Sequence, residues 1–188
     1  MNEKSKENEK SHEKSLEGKK SMTKKVAVTG IFIAVGLIMS YLNPFAYFFI
    51  FGTKINPFAH IINAMMGVWI GLIFSVITAS GIASVRFSLG IGTIHAFHGG
   101  ISGAIVVSLT AYLLRKKFPE NVSFAALTEP IGTIFIGGTI ANLIVPLGGI
   151  NGLLFYWGLF AASSIPGAII GFIILQILKQ GGISWHSF

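Results

Sequence analysis

A few chemistry-bearing side chains interrupt the long apolar runs of this sequence. His60 and Asn63 are three residues apart, which puts them on one face of a helix. A polar pair on an apolar helix should face other helices and hydrogen-bond across to them. His95 and His98 share that spacing. With His60 they could offer imidazoles to zinc, nickel or copper. The chain has no Cys and no Asp, however, and no carboxylate lies close to these histidines in sequence. No metal and no cofactor are expected. Arg86 would cost about 2.5–3.5 kcal/mol near mid-bilayer. It must snorkel to an interface or hold a structural partner or a ligand. Glu129, beside Pro130, is expensive in such a place unless protonated or paired. It could be a structural partner, a proton site or a ligand contact. The stretch Gly100-Ile101-Ser102-Gly103 matches the G-x-S-G of intramembrane serine proteases. A serine nucleophile needs a base. The one His after residue 103 is His186, near the end of the chain, so catalysis is not expected.

Helices must position these groups. The chain has 188 residues, 52% hydrophobic and 11% charged, where a soluble domain carries about 25% charged. Eight of the fourteen Lys/Arg and five of the seven acidic residues lie in residues 1–25. Uncharged runs then extend over 26–53, 55–85, 87–114 and 130–178. About 20 apolar residues suffice to cross a bilayer as a helix. Apolar/polar alternation, the mark of a membrane barrel, is missing. The composition predicts an all-α integral membrane protein. Residues 1–22 read as a disordered charged tail. Residues 23–180 read as a six-helix transmembrane domain, and 181–188 as a short C-terminal tail.

Expected spans are 25–42, 98–114, 125–146 and 153–178, with a hairpin over 55–85 broken near residues 67–71. Charge bias decides for the hairpin. With the Lys-rich N-terminus in the cytoplasm, six spans bring Arg115, Lys116, Lys117 and Lys179 to the same side. A single helix over 55–85 would put the Arg115 cluster outside. The expectation is a multi-pass protein of the cell membrane with both termini cytoplasmic. The net charge of +7 is orientation charge against the lipid bilayer, and no nucleic-acid partner is expected. Segments 43–54, 87–97 and 146–152 are then outer loops. Lys54 and Arg86 stand at the outer ends of helices, where orientation does not account for them. Two patterns, Gly30-xxx-Ala34 and Gly99-xxx-Gly103, permit close helix approach.

Two stretches together resemble the ThiW family of substrate-binding (S) components of energy-coupling factor (ECF) transporters. One is INPFAHIINAMMGVWIG (55–71), similar to a Pro-x-x-His-x-x-Asn segment before a small-residue helix. The other is RFSLGIGTIHAFHGGISGA (86–104). A weaker match is ALTEPIGTIFIGG (126–138). This sequence departs from the family pattern at Phe87, His98, Gly100 and Thr128. The resemblance implies an S-component-like bundle of six helices that captures a vitamin precursor near the outer face. For ThiW that precursor is the hydroxyethylthiazole moiety of thiamine. It also implies a transmembrane coupling subunit and two cytoplasmic ATPase subunits as partners. The sequence has no G-x-x-x-x-G-K-[ST] phosphate loop of its own, in keeping with a non-enzymatic transporter subunit. The candidate substrate-binding residues are His60, Asn63, Arg86, Thr93, Phe97, Gly99 and Glu129. Two alternatives stay open: a stand-alone transporter coupled to protons through Glu129, and an S component for a different vitamin.

Overall fold

The structure is a computed structural model that describes residues 3–43, 49–50 and 53–188. Helix α1 (Glu3–Tyr41) leads to a minimal antiparallel hairpin, β1 (Phe49–Ile50) and β2 (Thr53–Lys54), paired Phe49 to Lys54. Then come α2 (Phe58–Trp69), α3 (Leu72–Ser88) and α4 (His95–Lys117). A 3-10 stretch (Pro119–Thr128), a π-helical stretch (Ile131–Gly137) and α5 (Gly138–Ile144) follow one another. Helix α6 (Gly149–Gln180) and a short 3-10 turn (Trp185–Ser187) close the chain.

The expected break in 55–85 is real, and a glycine makes it. Gly71, at φ 97°, occupies a backbone region that side chains disfavour, so α2 stops and α3 begins anew. Helix α2 has 12 residues, and at 1.5 Å each it is about 18 Å long. Residues 60–69 are all buried, so α2 is the central helix of the bundle. It packs against α1, α3, α4, the 3-10 stretch and α6. The apolar core around it gathers Ile62, Met66, Val68, Val107, Val122 and Leu175. Large residues such as Ile31, Ile73, Leu113, Phe135, Leu143 and Ile173 lie exposed on the outside, as in a bundle surrounded by lipid. Four helical stretches are long and apolar enough to cross a membrane: Gly18–Tyr41, His95–Lys117, Pro119–Ile144 and Gly149–Gln180. Helices α2 and α3 are apolar but shorter.

The fifth stretch is wound unevenly, and Pro130 stands at the change. Pro130 has no N–H to close an α-helical bond onto Ala126. The Glu129 amide instead donates to Ala126, three residues back. Beyond Pro130 the π-helical turns lie hard against α4. A Cβ on Gly132 would overlap the Ser102 carbonyl, and one on Gly137 would come 2.8 Å from Gly99 Cα.

Both chain ends are ordered against the bundle or its first helix. From Glu3 the charged segment is helical and continuous with α1. Its Glu and Lys are good helix formers. Adding turns to an existing helix also avoids the nucleation cost that an isolated segment would face. The short C-terminal tail packs back on the bundle. Phe188 stacks on Trp69 at 5.2 Å, and the Lys24 ammonium donates to the Ser187 carbonyl. Arg115 donates to the carbonyls of Val68 (2.5 Å) and Trp69 (3.3 Å) while lying over the Trp185 ring. Lys179 pairs with Glu120 at 3.2 Å. Basic residues of α1, α4 and α6 thus collect at one end of the bundle. Arg115 caps the C-terminal carbonyls of α2 there, where the helix leaves acceptors without partners. Arg115→Ala is expected to lower stability by about 1.5–3 kcal/mol, the range for a hydrogen bond from a charged donor. Thermal unfolding in detergent measures it, and an unchanged midpoint would mean that the cap contributes nothing.

Candidate substrate-binding site

A buried polar cluster sits where α2, α4 and the fifth stretch meet. Glu129 lies on the stretch between the 3-10 and π-helical turns, and its side chain is fully buried. Three polar side chains converge on its Oε1 from two directions. His60 Nδ1 is 2.7 Å away, the Asn63 amide donates at 3.3 Å, and the Thr133 hydroxyl donates at 2.8 Å. The same donors tie the cluster to α4. Asn63 Nδ2 also donates to the Gly100 carbonyl at 2.9 Å, and the single Thr133 hydroxyl hydrogen is shared between Oε1 and the Gly99 carbonyl at 3.0 Å. Oε2 of Glu129 has no hydrogen-bond partner among the described residues.

Missing side chains make the cluster possible. Gly103 faces Glu129 and Thr133 so closely that a Cβ would collide with Oε1 and with the threonine oxygen. On the other side, a Cβ on Gly167 of α6 would come 2.5 Å from the Pro57 carbonyl and 2.6 Å from His60 Cβ. These glycines let three backbones close on one carboxyl group.

Of the residues singled out in the sequence, His60, Asn63, Gly99 and Glu129 come together here. Arg86 is a near neighbour. Its side chain borders a cavity of about 10 Å³ together with Asn63, Ala96 and Gly100. Its Nε is buried without a partner among the described residues. Thr93 is exposed in the turn between α3 and α4 and does not join the cluster. Phe97 is half-buried and meets Phe87 edge-on at 6.1 Å, also apart from it. Thr133, Gly103 and Gly167 went unnoticed as site residues in the sequence. The signal for Thr133 was its spacing of four from Glu129, one helical turn. The Gly99-xxx-Gly103 pattern marks Gly103 as a point of close helix approach but not as a neighbour of Glu129, and nothing local marks Gly167.

The remaining polar groups have quieter roles. The Ser102 hydroxyl donates to the His98 and Gly99 carbonyls of its own helix. His95 Nδ1 and His98 Nε2 lie 3.1 Å apart, and the His95 ring rests 5.2 Å from that of Tyr156. Among the described residues no three His or acidic side chains are arranged to hold a metal ion. A larger cavity, about 240 Å³, lies at the basic end between Trp69, Glu120, Lys179 and Trp185. It shares no residue with the carboxylate cluster.

An apolar bundle with long membrane-crossing helices and a buried carboxyl cluster has the build of a helical membrane protein, in which buried ionisable groups mark functional sites. A family model described as Thiamine-precursor transporter protein (ThiW) matches residues 26–181. The chain belongs to the ThiW family. Neither the curated proteins nor the solved structures compared with it gave a match.

Proposed function

We propose that this protein is the substrate-capturing membrane subunit of an ECF-type transporter that takes up the hydroxyethylthiazole precursor of thiamine. The observation that carries the reading is the polar cluster His60–Glu129–Asn63–Thr133, set in an apolar bundle of a thiamine-precursor transporter family. A small heteroaromatic alcohol wants a mostly apolar pocket with a few fixed polar groups. His60, Asn63, Gly99, Glu129 and Arg86 form the polar part. Thr93 and Phe97, near the α3–α4 turn at the same end of the bundle, form its lid and wall. The basic end is cytoplasmic by the bias of Lys and Arg toward that side. The cluster then lies toward the outer end, close below the first turns of α2 and α4. Energy comes from a coupling subunit and two ATPase subunits.

The cavity beside Arg86 is about the size of one water molecule. The structure therefore corresponds to a closed bundle, and substrate entry requires the outer helix ends to part. Calorimetry with purified protein and hydroxyethyl-methylthiazole tests the reading. Saturable binding supports it. Tight binding of another vitamin, with none of the thiazole, replaces the substrate but keeps the class. Arg86→Ala is expected to weaken binding by about tenfold or more, given the worth of a charged hydrogen bond. Membrane insertion should be intact, as judged by membrane fractionation. Unaltered affinity would remove Arg86 from the site.

One observation favours a second reading. A buried His–Glu pair is the arrangement found in membrane proton relays. A stand-alone proton-coupled transporter would accumulate substrate in vesicles that carry a proton gradient and lack any ATPase. The ECF reading expects no such uptake.

A further inference from the structure

The carboxyl group of Glu129 is used unevenly. Three polar side chains crowd Oε1, while Oε2 is buried and meets no partner among the described residues. The nearby donors are already engaged. Asn63 serves Gly100 and Oε1, and Thr133 serves Gly99 and Oε1. A buried carboxylate oxygen without a donor is costly, and such exceptions in a native fold call for a reason. One donor is also left over. Nε of Arg86 is buried and without a partner among the described residues, beside the same Asn63 and Gly100.

We infer that Glu129 Oε2 is the acceptor for a substrate hydroxyl, so the site selects a free heteroaromatic alcohol over the same ring without its hydroxyl and over its phosphate ester. The inference rests on the substrate reading above and names the group that confers specificity. A thiazole nitrogen is an acceptor and cannot serve Oε2, whereas the alcohol O–H can. The ring nitrogen suits the leftover Arg86 donor. A phosphate ester replaces the O–H with anionic oxygens and sets negative charge beside a carboxylate. A site built to bond a hydroxyl rejects the analogue lacking it, because its own polar group is then left unpaired.

The test is calorimetry on the full-length protein in detergent with three probes: hydroxyethyl-methylthiazole, ethyl-methylthiazole and the phosphate ester of the alcohol. Wild type is expected to bind the alcohol at least ~10-fold more tightly than the ethyl compound. The phosphate ester should bind more weakly still. In Glu129→Gln the alcohol's advantage over the ethyl compound should disappear. Equal affinity of wild type for alcohol and ethyl compound overturns the inference and leaves the substrate reading standing. So does tighter binding of the phosphate ester, which would hand selection to Arg86, and so does an advantage that survives in Glu129→Gln. Failure of the folded wild type to bind the alcohol at all overturns the substrate reading and the inference together. If Glu129→Gln does not fold, the wild-type comparison of the three probes still decides.

Discussion

His60→Ala is expected to lower the stability of the bundle by about 1–3 kcal/mol, the cost of leaving a buried polar group without its hydrogen-bond partner. It should also weaken thiazole-alcohol binding by about tenfold or more. The reason lies in the geometry of Glu129. Its carboxyl is fully buried, and the imidazole at 2.7 Å is the closest of its three partners. Without His60 the group keeps Thr133 at 2.8 Å and Asn63 at 3.3 Å. The lost ring also leaves a cavity beneath α6, where Gly167 packs directly on His60. Removing both partners should cost less than the sum of the two single losses, because the penalty comes from stranding one of them. Thermal unfolding in detergent of His60→Ala, Glu129→Ala and the double variant reads this coupling. Strictly additive midpoint shifts would show that the pair is not a unit.

Gly103→Ala should destabilise by about 1–3 kcal/mol, although Ala is the better helix former. The added methyl would stand in the space of Glu129 Oε1 and the Thr133 hydroxyl, and 2.9 Å from Glu129 Cδ. Helix α4 would have to move off the fifth stretch, stretching the bonds to the Gly99 and Gly100 carbonyls. Gly100→Ala, one turn earlier, is the internal control. Its Cβ would meet Ala79 at 3.9 Å, an ordinary contact. That variant should be neutral or more stable by up to about 1 kcal/mol. Opposite signs for two glycines three residues apart on one helix would locate the close approach at Gly103. Equal effects would mean that only helix propensity was being measured. Ligand titration of both variants adds a second readout, with loss of affinity expected for Gly103→Ala alone.

Much of the architecture was open to reading from the chain itself. Runs of uncharged residues specify membrane helices because the penalty for burying charge acts residue by residue. Gly71 was legible as a break within 67–71 because a turn is a local event. The spacing of His60 and Asn63 announced a shared face that looks into the bundle, for the same local reason. The helical state of residues 3–22 was not legible. Composition speaks to whether a segment can bury apolar surface, and not to whether it extends a helix already formed next to it.

The site divides along the same line. The sequence by itself determined which side chains were out of place in lipid: His60, Asn63, Arg86 and Glu129. It determined this because each side chain carries its solvation cost wherever the fold puts it. Only the tertiary structure decided that Glu129 meets His60, a contact across 69 positions of sequence. It also decided that Thr133 joins them, that Gly103 and Gly167 make room, and that Thr93 and Phe97 stand apart. Those outcomes depend on how closely α2, α4 and the fifth stretch approach one another. That approach is set by the missing Cβ atoms and by the winding change at Pro130; the Gly99-xxx-Gly103 pattern permits it but does not say which side chains will fill the space.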